Sequence, residues 1–325
     1  MRNLGLFLAT LLALVQVQAA KPHALFVVGT HHYSPHETMP ALASQLDALG
    51  WETSVLNPSY NPEKNSKGIA GLERLQEADV AIFYTRFLTL PPDQFRLIQL
   101  YLEAGKPVVG FRTSTHAFDY PKDNSLAKWN NGFGNDALGT QYFAHLQGDT
   151  SVTLAKGAGN HSILTGINLT KPIAAAGTLY LADLAQGAQP LLRGTGKSKK
   201  PGKKTNRFGT FDIKPTMTQE CRLDLEKQMG RPCVLTTLGH KNLASGDRNL
   251  MRLFINGICW AAGENVPSKK KKNSSLSRAQ GRLAKNKKRR LVPMPATSKP
   301  AINLAKKSGV GSVRIVREKR HLALR

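Results

Sequence analysis

The sequence predicts an α/β protein of three layers: a mostly parallel sheet with helices on both faces, followed by a disordered basic C-terminal tail. Two observations carry this. Short apolar runs alternate with helical periodicities along the middle of the chain, the order in which a parallel sheet covers both its faces. From Asn265 onward the composition then turns abruptly to Lys and Arg.

The elements follow in order. Ala24–Val28 is a continuous apolar run that fits a buried strand. Met39, Leu42, Leu46 and Leu49 then recur at helical spacing, with Gly50 as the stop. Ser34 and Glu37 form a capping-box pattern, but that start puts Pro40 in the sixth helical position, where its ring meets an earlier carbonyl. Thr38 is therefore the preferred cap. Asp79–Tyr84 reads as a strand, and Pro91–Ala104 as a helix with Phe95, Ile98 and Leu102 on one face and Gly105 just past its end. Lys106–Phe111 is the next strand. A long loop from Thr113 to Gly148 precedes strand signals at Ser151–Leu154, Thr178–Leu181 and Gln189–Leu192. Cys233–Leu238 reads as a strand ending at Gly239-His240. Asp247 can cap a closing helix, Leu250–Trp260, apolar almost all round and so expected to be buried.

Charge divides the chain into three parts. Residues 1–20 carry Arg2, an uncharged apolar run from Leu4 to Val17, and Val17-Gln18-Ala19, the pattern of a cleaved export signal. As a membrane anchor the run is short. Residues 265–325 hold 19 Lys or Arg against one acid, Glu318, a net +18 of the whole-chain +25. The domain at 21–264 is therefore only mildly basic. The tail repels itself and has too little apolar surface to offset the entropy of ordering, so it is expected to be disordered. Gly194–Lys204, rich in Gly and Lys, reads as a mobile loop.

Candidate chemistry lies at the carboxyl ends of the strands, where open α/β sheets bind ligands. The strand ending at Phe111 runs into Arg112, Thr113, Ser114, Thr115 and His116. The first strand runs into a loop with His31, His32 and His36, just before a helix start whose free amides attract anions.

These residues resemble the ThuA-like (trehalose utilisation) family, whose fold is related to the class I glutamine amidotransferases. The resemblance runs from about Ala24 to Gly263. It rests on Gly-Thr-His-His-Tyr-Ser-Pro-His-Glu-Thr after the first strand, Ala-Asp-Val-Ala-Ile-Phe-Tyr-Thr-Arg at Ala78–Arg86, and Gly-Lys-Pro-Val-Val-Gly-Phe-Arg at Gly105–Arg112. Thr-Leu-Gly-His ahead of a helix ending Asn-Gly-Ile-Cys-Trp-Ala-Ala-Gly completes it. The stretch Gln186–Arg231 departs from the family pattern with a basic insertion and the Cys221 segment. The resemblance implies a class I glutamine amidotransferase-like sheet and a carbohydrate or oxidised sugar derivative as ligand. Amidotransferases carry a nucleophilic Cys where this chain has Arg112. A guanidinium cannot attack an amide carbon, so the resemblance implies no Cys-dependent glutaminase activity.

The candidate site gathers His116 and His240 as proton-transfer groups with Arg112 as an orienting cation. His31, His32, His36, Tyr84, Arg86, Thr113, Ser114, Thr115 and His145 are candidate ligand contacts. His36, Arg112, His116 and His240 are expected to converge on one pocket. Each has a plainer alternative: the histidines as loop residues, and Arg112 as a partner of Asp119 or Asp123. Trp129, Phe133, Tyr142 and Phe143 either stack on a sugar ring or form the loop's own core.

Imidazoles bind divalent metals, but Pro35 interrupts His32 and His36, and no spacing identifies a metal site. No nucleotide motif is present; Gly132-Phe133-Gly134 is a lone Gly-x-Gly. Three readings stand: an enzyme or enzyme-derived domain acting on a small carbohydrate-like ligand, a noncatalytic sugar-binding module, and a tether to an anionic polymer or surface through the tail. The location implied is periplasmic or secreted, with no transmembrane segment after signal cleavage. Of the three cysteines, Cys221 and Cys233 are the expected disulfide pair, with Cys259 a buried thiol; the alternative is three free thiols, since the fold has core enough without a staple.

Overall fold

The computed structural model describes residues 20–268 except 176, 184, 229–230 and 241–247, and of residues 220–228 the backbone only. The expected export signal up to residue 19, the tail beyond 268 and the cap at Asp247 lie outside the described residues.

The strands in chain order are β1 (His23–Gly29), β2 (Glu52–Leu56), β3 (Val80–Thr85), β4 (Val108–Phe111), β5 (Tyr142–His145), β6 (Thr150–Leu154), β7 (Ile173–Ala175), β8 (Tyr180–Ala182), β9 (Gln189–Lys197), β10 (Gly202–Asn206), β11 (Gly209–Ile213), β12 (Thr216–Gln228) and β13 (Arg231–Thr236). The helices are α1 (Pro35–Asp47), α2 (Pro92–Glu103), α3 (Trp129–Gly132) and α4 (Arg248–Ala261).

Nine strands form one sheet in the order β2-β1-β3-β4-β13-β12-β9-β6-β7. The pairings from β2 to β13 are parallel, and those from β13 to β7 are antiparallel. The sheet is thus parallel over one half only, which corrects the mostly parallel sheet the sequence predicts. The reason is connectivity. A parallel neighbour needs a crossover of a dozen or more residues, whereas β9 to β13 are joined by short connections or by the small β10–β11 ribbon, which favour antiparallel return.

Both faces of the parallel half are covered. Ala24, Phe26 and Val28 of β1 pack in one cluster with Met39, Leu42 and Leu46 of α1 and Phe254 and Ile258 of α4. Leu25 and Val27, one residue out of phase, pack in a second cluster with Phe95, Ile98 and Leu102 of α2. Alternate side chains of a strand point to opposite faces, so a strand dry on both sides must be apolar throughout. That is why Ala24–Val28 shows no alternation. α4 is buried almost all round, as its sequence predicts.

Helix α1 corrects the sequence reading. It starts at Pro35, with Ser34 in the cap position at φ 59° and no side-chain cap bond, so Pro40 does lie inside it. Pro40 has no N–H for the carbonyl of His36, four residues earlier. That carbonyl instead accepts a hydrogen bond from Asn57 Nδ2 at 2.9 Å, which meets the polar requirement the proline leaves open.

Gly194–Lys204, read as a mobile loop, divides between β9 and β10. Its polar sequence is held through the backbone, since Arg193–Lys197 pair with β12 on one side and Arg193–Gly196 with β6 on the other. The long loop after Thr113 also carries structure: a 3₁₀ turn at Arg112–His116, α3, a π-helical turn at Phe133–Ala137, and β5, which pairs with β8.

The expected Cys221–Cys233 disulfide does not fit the register. Cys233 lies opposite Leu225 on β12, and Cys221 lies opposite Leu192 on β9. Four residues of strand, about 13 Å, separate Cys221 from the residue facing Cys233. A disulfide spans less than about 7 Å between Cα atoms. Cys259 is a buried thiol whose pKa is pushed up to about 12 by burial and then by Glu264.

Candidate functional site

Chains leaving the carboxyl ends of β1, β3 and β4 meet the β5–β8 pair and the tip of the β10–β11 ribbon around a cavity of about 610 Å³. Its walls include the rings of Tyr33, Phe87, Tyr142, Tyr180 and Phe208. Its charged groups are Arg86, Lys204 and Arg207, and it also holds His32, His116 and His145. Among the described residues no carboxylate lines it; Glu63 and Asp119 bind its arginines without lining the wall.

Arg86 ion-pairs with Glu63, and Arg207 with Asp119. Both guanidinium groups lie over Phe87, at 4.3 and 4.4 Å from the ring centroid. Each such cation–ring contact contributes about 0.5–2 kcal/mol and keeps the arginine planes beside the cavity. The ribbon tip is tied down as well: Asn206 Nδ2 donates to the carbonyl of Phe143 at 2.8 Å.

His116 ends the turn that follows β4 and is 4% exposed. Its ring lies 4.4 Å from that of Tyr142 and 5.2 Å from that of Phe87. Burial, then Arg86 and Arg207, hold its pKa well below the usual histidine value, so the ring is neutral at pH 7. Its tautomer follows from proton counting. Thr115 Oγ1 lies 3.1 Å from the Arg112 carbonyl, which can only accept, and 3.2 Å from His116 Nδ1. The single hydroxyl proton goes to the carbonyl, so Nδ1 carries a proton and donates to Oγ1. Nε2 is left as an acceptor.

His145 is a second neutral imidazole, with Nδ1 2.6 Å from the Tyr142 hydroxyl. Burial, then Lys204 and Arg112, lower its pKa to about 4. His32 is also lowered, by burial and then Arg86. The Tyr142 hydroxyl is pushed up to about 12, chiefly by burial. Among the described residues Arg86 and Arg207 are each countered by a carboxylate, Glu63 and Asp119, and Lys204 forms no ion pair; the cavity's histidines act as neutral hydrogen-bonding groups.

Arg112 lies behind the wall. It is 1% exposed and has φ 39°. Its guanidinium is 4.4 Å from the ring centroid of Tyr33 and 4.5 Å from that of Tyr180. Nη1 donates to the Thr237 carbonyl at 2.8 Å. Burial disfavours its charge, but the hydroxyls of Tyr180, Tyr84 and Tyr33 favour it by more, and the pKa is raised. Asp119, one partner expected from sequence, is held by Arg207 instead. Among the described residues no carboxylate pairs with Arg112.

The other sequence candidates are spread more widely. His31 and His36 pack on each other at 4.2 Å, away from the cavity wall, and His36 lies 3.8 Å from Glu37. His240 packs on Tyr33 at 4.6 Å, so it meets the same ring as Arg112 but does not line the cavity. Of the four groups expected to converge, only His116 faces the cavity. Tyr84 is in the core, stacked on Phe111 and donating to the Gly239 carbonyl at 2.7 Å. Ser114 binds β3 to the turn, donating to the Phe83 carbonyl at 2.8 Å. Thr113 is buried. Trp129 and Phe133 pack around Phe95 and Phe118 as a core. Tyr142 lines the cavity, and Phe143 stacks on Phe211.

Sequence reading missed Tyr33, Phe87, Tyr180, Lys204 and Arg207. For Tyr33 and Phe87 one signal is conformational. Among the described residues five non-glycine residues have left-handed φ, and Tyr33 (69°), Phe87 (47°) and Arg112 (39°) all belong to this site. Such strain persists where the surroundings over-determine the backbone, and it concentrates at functional sites. Phe87 was also legible as the residue after Arg86 at a strand end.

Among the described residues no group of three or more His, Cys, Asp or Glu side chains is arranged to hold a metal, and no helix is long and apolar enough to cross a membrane. No family model and no curated protein matches the chain. Among solved structures it is similar to a ThuA-like protein of Parabacteroides merdae, at 14% identity and TM-score 0.50 over 77% of this chain and 93% of that one. It is also similar to a ThuA-like protein of Bacteroides uniformis, at 16% identity and TM-score 0.49 over 76% and 96%. Likeness at this level concerns the fold alone.

Proposed function

We propose that this chain is an exported ThuA-like protein with a class I glutamine amidotransferase-like core, and that its cavity binds an anionic carbohydrate derivative such as a sugar acid. The observation that carries the ligand class is the cavity's composition: aromatic rings on several sides, Arg86, Lys204 and Arg207 at the wall, and no carboxylate. Rings stack on the apolar faces of a sugar, and planar guanidinium groups suit a carboxylate. The volume suits a ligand of one or two rings.

Arg112 supports the amidotransferase-like reading. It follows a central parallel strand at a turn with φ 39°, the kind of sharp strand-to-helix turn on which related α/β enzymes mount a nucleophile. Here that turn carries a guanidinium packed on Tyr33 and Tyr180, which props the cavity wall and supports a reading without Cys-dependent glutaminase chemistry.

A catalytic reading rests on His116. Its Nε2 is a neutral acceptor beside cations that would hold the ligand's charge, an arrangement that can take a hydrogen bond or a proton from a sugar hydroxyl. His240 has no such position. Calorimetric titration with glucuronate and glucose tests the ligand class. Tighter binding of glucuronate supports the reading, and equal affinity for the two rejects it.

A further inference from the structure

Positive charge continues beyond the cavity. From Arg193 to Arg207 every charged side chain is a cation, and Lys197, Lys199 and Lys200 are exposed. The β10–β11 ribbon sorts its charges by face. Residues two apart on a strand share a face, so Lys204 and Asn206 face the cavity together, and Lys204 stands opposite Phe211. On the other face Lys203 stands opposite Asp212. The outer face is balanced in charge and the cavity face is not. Lys199 and Lys200 sit on the connection that leads into β10, at the end of the ribbon away from its tip. The five residues from Gly202 to Asn206 put about 14 Å between the two ends.

We propose that the site takes the end of an anionic oligosaccharide, with the terminal sugar acid in the cavity and the following acidic units along the ribbon toward Lys199 and Lys200. This rests on the cavity binding a sugar acid, as proposed above, and adds the polymer and its direction. Lys199 and Lys200 are exposed beyond the cavity cations, where the further acidic units of a longer ligand would meet them. An anionic polysaccharide fits better than a single-stranded nucleic acid, because the segment from Lys197 to Lys204 carries no aromatic ring, whereas nucleic-acid tracks stack successive bases on aromatic side chains.

The test is calorimetric titration of the full-length chain at low salt with galacturonate and with its dimer through hexamer, for wild type and Lys199→Glu/Lys200→Glu. The basic tail is the same in both proteins, so the difference between them reports on the ribbon. Oligomers should bind wild type about tenfold tighter than the monomer, in keeping with added ion pairing. The double variant should lose most of that gain while its monomer affinity and melting temperature stay unchanged. Monomer binding with no gain for oligomers, or an unaltered gain in the double variant, overturns the oligosaccharide track and leaves the cavity reading intact. Absence of monomer binding overturns the cavity reading and the track with it. If single-stranded DNA of matched charge binds wild type as tightly and suffers the same loss in the variant, the polysaccharide assignment is overturned.

Discussion

The His36 carbonyl, deprived of a helical partner by Pro40, is bonded by Asn57 Nδ2 at 2.9 Å. The pair explains how α1 begins at Pro35 with a proline inside it, and so how His31, His32 and Tyr33 come to lie in a tight loop above β1.

Asn57→Ala should therefore cost about 0.5–1.5 kcal/mol. In a Pro40→Ala background the new N–H takes the carbonyl, and the same substitution should cost much less. A double-mutant cycle by urea denaturation checks this. Equal costs in both backgrounds would mean that Asn57 acts elsewhere.

Gly134 illustrates a motif whose meaning is packing. A Cβ there would stand 2.4 Å from the Thr115 carbonyl oxygen and 2.7 Å from that of Thr140. At Gly132 the nearest atom is 3.5 Å away. Gly134→Ala should destabilise by about 2 kcal/mol or more, as overpacking does, and should shift the His116 imidazole signals. Gly132→Ala should do neither. Thermal unfolding and histidine NMR distinguish the two positions.

Arg112 holds Thr237 and two cavity tyrosines from behind. Replacing it with Met should destabilise the fold by about 2–4 kcal/mol, because a buried carbonyl loses its donor and the ring contacts are lost. Ligand binding should weaken with it as Tyr33 and Tyr180 relax. A variant as stable as wild type would remove Arg112 from this supporting role.

The neutral histidines set a pH dependence. His116, His145, His32 and His36 all have folded-state pKa values below the unfolded value of 6.5. Below pH 6.5 the unfolded chain therefore binds more protons than the folded one, and folding stability falls with falling pH. Above about pH 7.5, where the unfolded imidazoles are also neutral, these groups contribute no slope. The loss should run from about pH 6.5 down past pH 4, the region where His145 titrates. His116→Gln together with His145→Gln should flatten the profile in urea titrations at stepped pH, and an unchanged slope would place the proton uptake elsewhere.

Much of the parallel half was legible because its signals are local. Ala24–Val28, Asp79–Tyr84 and Pro91–Ala104 carry strand runs, helical spacing and a glycine stop, and each recurs within a residue or two. The antiparallel half was legible only in part: Ser151–Leu154 recurs as β6 and Gln189–Leu192 as the start of β9, but the rest of β9, β10 and β12 are polar strands held by register rather than by apolar pattern. At the site, Arg86, His116 and His145 were visible from their places near strand ends. Lys204 and Arg207 were not, since they reach the cavity by the folding back of a ribbon that sequence composition reads as a loop. Of the four groups expected to converge from strand ends, His116 lines the cavity, Arg112 and His240 pack against Tyr33, and His36 packs on His31.

The central claim is that the cavity recognises a charged sugar through Arg86 and Arg207. Its most direct test is the ratio of glucuronate to glucose affinity in wild type and in Arg86→Ala/Arg207→Ala, measured by calorimetry on the full-length chain. A ratio of about ten or more that falls to near one in the double variant is predicted, in line with the strength of charge-assisted pairing. A ratio near one in wild type, or one that survives loss of both arginines, would contradict it.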